Sequence, residues 1–352
     1  MSGLKTQELY HALPAALLPW YESHKRDLPW RKDRDPYHIW VSEIMLQQTR
    51  VEAVKGYYSR FLESIPTVEA LSKIEDDQLL KLWEGLGYYS RVRNMKKAAC
   101  IIMEKYGGHF PEHYHDMFAL PGIGAYTVGA ICSIAFGQKT PAVDGNVLRV
   151  ISRITDDDSP IDQPAFKKMV TDNLTAIYPD RAGDFTQALM ELGATVCGPN
   201  RAPDCKECPC KSFCLGHQRG TAEKLPNKTP KKGRKKQEMT VFILCTDGHY
   251  ALEKRPGKGL LASLWQFPNV LGKLSVAEAI RKVEEFGMIP KEIHRQVEKK
   301  HIFTHVEWDM SGIYMDVEKP DSRYTWLSAE QINANAALPT AFRQFWEEID
   351  YV

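Results

Sequence analysis

Leu120-Pro121-Gly122-Ile123-Gly124, with Val143-Asp144-Gly145-Asn146 placing an aspartate twenty positions after Gly124, decides how this chain is read. The glycines open a tight turn between two helices, and the backbone N–H groups of such a turn can face a phosphate. The stretch that follows, Ala125 to Phe136, is small and apolar, which predicts a buried helix. It delivers the chain to a lone carboxylate. A phosphate-gripping turn joined to an aspartate points to chemistry on a nucleic acid backbone or sugar.

The rest of the chain sets bounds on that reading. Its 352 residues suffice for two or three domains with cores of their own. A hydrophobic content of 43% and a charged content of 26% are those of a globular protein. The net charge is only +1, so a polyanion has to be met by local patches rather than by a global field. No apolar run approaches the length of a membrane span, and Met1-Ser2-Gly3-Leu4-Lys5-Thr6 has no signal-peptide core. The expectation is a monomeric cytoplasmic protein, bacterial and nucleoid-associated, with no membrane partner.

Residues 1–218 read as helical, with turn signals at Ile65-Pro66, Gly107-Gly108, Pro121-Gly122 and Ser159-Pro160. Residues 219–238 carry Lys224, Lys228, Lys231, Lys232, Arg234, Lys235 and Lys236 among Pro226, Pro230 and Gly233, and read as a solvated basic linker. Residues 239–352 read as a separate α+β domain. Thr240 to Cys245 and Tyr250 to Lys254 form a hairpin around Asp247-Gly248, Ala277 to Glu285 is a helix, and Ile302 to Met315 alternates like a strand.

Two features carry chemistry. Cys197-x7-Cys205-x2-Cys208-x5-Cys214 puts four thiols in eighteen residues, with Cys210 as a fifth, and such clustering in a reducing compartment means metal. Four cysteines suit structural zinc and a 4Fe–4S cluster alike, and spacing does not separate them. Arg201, Lys206, Lys211 and Arg219 in and beside the loop would offer positive charge to phosphates.

The second feature is a pair of carboxylates. Pro36 to Arg50 reads as one helix, on which Glu43 shares a face with Ile39, Trp40 and Leu46. Desolvation there would raise its pKa and keep it protonated. Taken alone, a glutamate at the rim of an amphipathic helix is the commoner explanation. Asp144 reads equally as the N-cap of the next helix, a place where backbone N–H bonds keep a carboxylate ionised. Cleavage of an N-glycosidic bond needs such a division: one acid for the leaving base and one carboxylate for an oxocarbenium-like sugar.

A helix–hairpin–helix turn, an aspartate twenty residues later and a trailing four-cysteine loop together resemble the iron–sulfur DNA glycosylases. Leu28-Pro29-Trp30-Arg31, Val41 to Thr49, Trp83 to Tyr89 and Val143 to Asn146 are similar to the blocks of the adenine DNA glycosylases of the MutY type. The resemblance implies a mainly α, two-lobed helix–hairpin–helix glycosylase fold followed by a Nudix-like α+β domain. It implies one 4Fe–4S cluster on Cys197, Cys205, Cys208 and Cys214, although the family spacing is Cys-x6-Cys and this chain has one residue more. It implies that Glu43 protonates adenine and Asp144 stabilises the sugar cation, with Tyr126 and Asn146 supporting the site around Asp144. Arg26, Trp30, Arg31 and Gln187 would line the adenine pocket. Gln48 and Tyr88 would wedge into the duplex, and Gly122 and Gly124 would anchor the strand while the base is flipped out.

In the endonuclease III branch, position 126 is a lysine that forms a Schiff base. Tyr126 therefore implies base removal with little β-lyase activity. Phe303-Thr304-His305 resembles the Phe-Ser-His stretch with which the family's C-terminal domain recognises 8-oxoguanine opposite adenine, with threonine replacing serine. The segment Arg281 to Gly287 lacks the first glutamate of an active Nudix motif, so the domain is expected to read a base rather than hydrolyse a nucleotide. The implied partner is duplex DNA holding A:8-oxoguanine or A:G. An iron–sulfur binding module without catalysis would require Glu43 and Asp144 to be mere packing and capping.

Overall fold

The computed structural model describes residues 6–199, 202–230 and 233–349. In chain order the helices of the first two thirds are α1 (Thr6–His24), α2 (Pro36–Met45), α3 (Val51–Ser64), α4 (Val68–Lys73), α5 (Asp76–Leu82), α6 (Ser90–Tyr106), α7 (Tyr114–Phe118), α8 (Ala125–Ile134), α9 (Gly145–Thr155), α10 (Pro164–Ile177), α11 (Ala182–Thr195) and α12 (Leu215–Gln218). Contacts divide the chain into two units: Met1–Lys73 with Asn94–Pro230, and Ile74–Arg93 with Lys231–Val352. The helix α5 and the loop after it thus belong with the C-terminal residues, although their sequence reads as part of the helical region.

In the first unit, α8 is the central helix. Its residues Thr127–Ile134 are all buried, as a helix apolar on every side must be. Gly129 lets it approach the 141–142 backbone, where a Cβ would lie 2.2 Å from the Pro141 carbonyl oxygen. The core beside it joins Leu9, Leu13 and Leu17 of α1, Val150 and Ile154 of α9, Val170 of α10, and Phe185 and Leu192 of α11. No described helix is long and apolar enough to cross a membrane.

Three sequence expectations shift here. The helix expected over 36–50 ends at Met45, because Gln48 adopts a left-handed backbone (φ +61°) and turns the chain before α3 starts at Val51. The expected solvated linker is anchored in its first half. Ala222 and Leu225 are buried, Asn227 donates to the Asp158 carbonyl (2.8 Å) and the Thr229 N–H donates to Asp162 (2.9 Å). Its later residues Lys235–Glu238 already belong to a strand, and Lys231 and Lys232 lie outside the described residues.

The second unit holds a mixed sheet of β1 (Lys235–Thr246), β2 (His249–Lys254), β3 (Trp265–Gln266), β4 (Asn269–Leu271), β5 (Ile289–Ile302), β6 (Val306–Glu318) and β7 (Thr325–Ser328). The order is β3-β2-β1-β6-β5, with β4 on β1 and β7 on β2; β1 and β6 are parallel. The helices α13 (Val276–Glu285), α14 (Ala329–Asn335) and α15 (Thr340–Trp346) complete it. Alternation splits β1 between two cores. Met239, Val241 and Ile243 pack with Phe342 and Phe345 of α15, while Phe242 and Leu244 pack with Ala279 and Val283 of α13. The strand expected over 302–315 is really the end of β5, a turn at 303–305, and most of β6. The three residues singled out as a base reader thus form the tip between the two longest strands.

Candidate active site and cysteine loop

The Asp35 side chain caps α2 by accepting from the Tyr37 N–H (2.8 Å), and Pro36 opens the helix with φ preset. The helix is buried from Ile39 to Met45, so Glu43 has no solvent to ionise into. Its carboxyl is pushed up from 4.5 to about 7, chiefly by burial. A hydrogen bond from the Tyr126 hydroxyl opposes the rise, the Asp144 charge adds to it and the Arg31 charge opposes it. Tyr126, one residue into α8, therefore holds Glu43 directly. Tyr126 also lines the cavity that holds Asp144.

Asp144 is the N-cap of α9. It accepts from the Val147 N–H (2.8 Å) and from Asn146 Nδ2 (2.7 Å). Burial nevertheless pushes its carboxyl above 3.8, with the bonds from Val147 and Asn146 and the charge of Arg149 opposing. The N-cap expected from the sequence is present, with burial acting against the bonds that favour the charged form.

Both carboxylates line one cavity of about 660 Å³ together with Tyr126, Asn146, Gln48, Arg26, Trp30, Arg31 and Gln187. Sequence reasoning missed one wall residue, Glu191. Its side chain is 1% exposed and gathers both arginines: Arg26 Nε at 2.6 Å, Arg26 Nη2 at 2.9 Å and Arg31 Nη2 at 2.7 Å. Burial pushes Glu191 up, but these bonds outweigh it and hold the carboxyl below 4.5. Arg26 and Arg31 thus reach the pocket already paired. The signal available in the sequence was a charged residue between Leu189 and Leu192 on a buried helix.

At the hairpin, Gly122 has φ +77° and a Cβ there would lie 2.7 Å from Asn94 Cβ, so glycine is required twice over. Gly124 caps α8 in extended backbone with open space where a side chain would stand. No side chain caps this helix start, so its first N–H groups can donate to an anion.

In the second unit, Tyr88 sits at φ +45° after Gly85 (φ +95°) and Gly87 (φ +67°). A left-handed tyrosine costs on the order of 1–3 kcal/mol. Its loop is clamped by Trp83 Nε1 to the Gly87 carbonyl (3.1 Å) and by Arg91 Nη2 to the Leu86 carbonyl (2.9 Å). The ring stays 48% exposed, and its hydroxyl shares a 3.0 Å hydrogen bond with that of Thr304. Phe303 packs between His301 and Trp308, with ring centroids 4.5 and 4.8 Å away. Thr304 and His305 are exposed.

Cys197, Cys205, Cys208 and Cys214 line one small cavity with Arg153. Arg153 donates to Cys197 Sγ (3.2 Å) and to its carbonyl (3.1 Å). Arg149, one turn earlier on α9, bonds the same carbonyl (2.9 Å) and Asn146 Oδ1 (2.8 Å). A continuous run of bonds therefore joins Asp144 to the cysteine loop. The fifth thiol, Cys210, is fully buried and does not line that cavity. Lys206 and Lys211 are exposed, Arg219 pairs with Asp156 (2.8 Å), and Arg201 lies outside the described residues.

Comparison with known proteins gives the family. The HhH-GPD superfamily of base excision DNA repair proteins matches residues 41–169, and a NUDIX domain matches residues 239–348. The human adenine DNA glycosylase is 33% identical over 95% of this chain and 73% of its own length. That of Buchnera aphidicola subsp. Baizongia pistaciae is 35% identical over 86% of each. The chain belongs to the adenine DNA glycosylase family. A solved thermostable thymine-DNA glycosylase superposes with a TM-score of 0.55 at 28% identity, covering 61% of this chain and 99% of that one. In this glycosylase the cavity that holds both carboxylates lies within the helical region, and the turn at 303–305 lies within the NUDIX domain.

Proposed function

We propose that the protein removes adenine mispaired with 8-oxoguanine or guanine in duplex DNA, acting as a monomer and without a strand-cleaving step. The observation that carries this reading is the buried Glu43, titrating near neutrality in one cavity with the N-capped Asp144. With adenine flipped into that cavity, Glu43 gives its proton to the base. Asp144, held by Val147 and Asn146, faces the positive charge that develops on the sugar, and water then completes hydrolysis. Arg26, Arg31, Trp30 and Gln187 flank the base, with Glu191 fixing the two guanidinium groups. Gln48 and Tyr88 fill the space the base leaves, and the Gly122–Gly124 turn holds the phosphate backbone. Thr304, at the tip with Phe303 and His305, reads the opposite base. Tyr126 has no amine, so no Schiff base forms there.

Cys197, Cys205, Cys208 and Cys214 fit a single 4Fe–4S cluster. Four thiols suit structural zinc as well, and it is the resemblance to the iron–sulfur DNA glycosylases that favours the cluster. A cluster would fold the loop and present Lys206 and Lys211 to phosphates. Single-turnover excision on duplexes with adenine opposite 8-oxoguanine, guanine and thymine tests the reading. Rates should fall in that order, and no release of adenine from any duplex overturns it. Strand cleavage without added base contradicts the absence of a lyase step.

A further inference from the structure

The segment 74–93 is tied to the C-terminal residues by the Lys254–Asp77 ion pair (2.7 Å), by a bond from Arg93 to the Ala262 carbonyl, by Lys81 and by the Glu84 carboxylate. The Glu84 side chain is only 9% exposed. One of its oxygens accepts from the Leu338 N–H (2.9 Å), and the other meets Arg343 Nη1 (2.6 Å) and Lys81 Nζ (2.8 Å). Lys81 in turn donates to the Ala336 carbonyl (3.1 Å), just past α14. Four residues beyond Glu84, the clamped loop ends in Tyr88, whose hydroxyl meets that of Thr304. The two ends of this arrangement differ in kind. Glu84 is shielded and triply bonded, and moving it would strand a charge. The Tyr88–Thr304 bond is exposed, and either hydroxyl can exchange it for a base edge.

We propose that Glu84 is a positioning residue for discrimination of the opposite base. It fixes Tyr88 at the reading tip, so that the ring entering the duplex and the hydroxyl reading the base act as one body. This rests on the roles given above to Tyr88 and Thr304. Nothing in the segment's own sequence requires the mount, because the partners of Glu84 lie about 250 positions away.

The test uses the full chain with its metal bound, and reads the ratio of single-turnover excision rates for adenine opposite 8-oxoguanine and opposite guanine. Glu84→Ala should lower that ratio by roughly fivefold or more, a modest coupling between sites. Glu84→Gln keeps an acceptor for the Leu338 N–H and should retain part of the ratio. The fluorescence of 2-aminopurine beside the mispair should report weaker stacking in Glu84→Ala. An unchanged ratio, or equal slowing on both duplexes, overturns the inference. Should Glu84→Ala fail to fold, Arg343→Met removes one leg of the mount, and the same ratio decides. Wild type without selectivity between the duplexes sinks the opposite-base reading itself, a different failure from selective wild type with an equally selective Glu84→Ala.

Discussion

Glu43→Gln should stabilise this protein at neutral and alkaline pH while abolishing excision. The carboxyl titrates at about 7 when folded against 4.5 when free. Between those values the folded chain binds more protons than the unfolded one, so stability falls as pH rises through that window. Relative to a neutral side chain, the cost is about 1 kcal/mol at pH 5 and about 3 kcal/mol at pH 8. Glutamine has no charge to desolvate and can still accept from Tyr126. At roughly 2–4 °C per kcal/mol for a unit of this size, the variant should melt up to about 10 °C higher at pH 8 and only a few degrees higher at pH 5. Parallel melting curves of the two proteins across that range provide the assay. A difference in melting temperature that is the same at pH 5 and pH 8 would refute the burial argument, because Glu43 would then titrate like an exposed glutamate.

Tyr126→Phe deletes the bond that lowers the Glu43 pKa, so the alkaline limb of the excision–pH profile should move upward; a limb that stays or moves down contradicts the contact. Asp144→Asn should slow excision about 10²–10³-fold with little change in melting temperature, since asparagine caps a helix as well as aspartate. In Gly193→Ala the new Cβ would stand 2.8 Å from Asn146 Cβ; the overpacking should cost about 1–3 kcal/mol and slow excision by displacing the donor to Asp144. Iron content should be unaffected by Cys210→Ala and lost in Cys205→Ser, and the reverse result would reassign the ligands.

Legibility in the sequence followed distance along the chain. Glu43 on its apolar face, Asp144 at a helix start and the cysteine spacing are local patterns, and local patterns survive without coordinates. Glu191 was invisible because its partners, Arg26 and Arg31, lie 165 and 160 positions away. The Tyr126–Glu43 bond spans 83 positions, and no local pattern announces it. Gln48 was placed on a helix because nothing in Leu46-Gln47-Gln48-Thr49 announces a left-handed turn; glycine or proline would have done so. Residues 74–93 have ordinary helical patterning, and only long-range contacts assign them to the C-terminal unit.

That assignment has a consequence for synthesis. The segment 74–93 leaves the ribosome with Leu79, Leu80, Trp83 and Leu86 ready to be buried, yet the rest of its unit begins only after Pro230. At about 5–20 residues per second, the rest of that unit arrives on the order of ten seconds later. During that interval the segment waits for the residues that complete its unit. The segment is therefore made well before the residues with which it forms a unit. A messenger recoded to slow the stretch between 94 and 230 should lower soluble yield more than the same delay placed after residue 231.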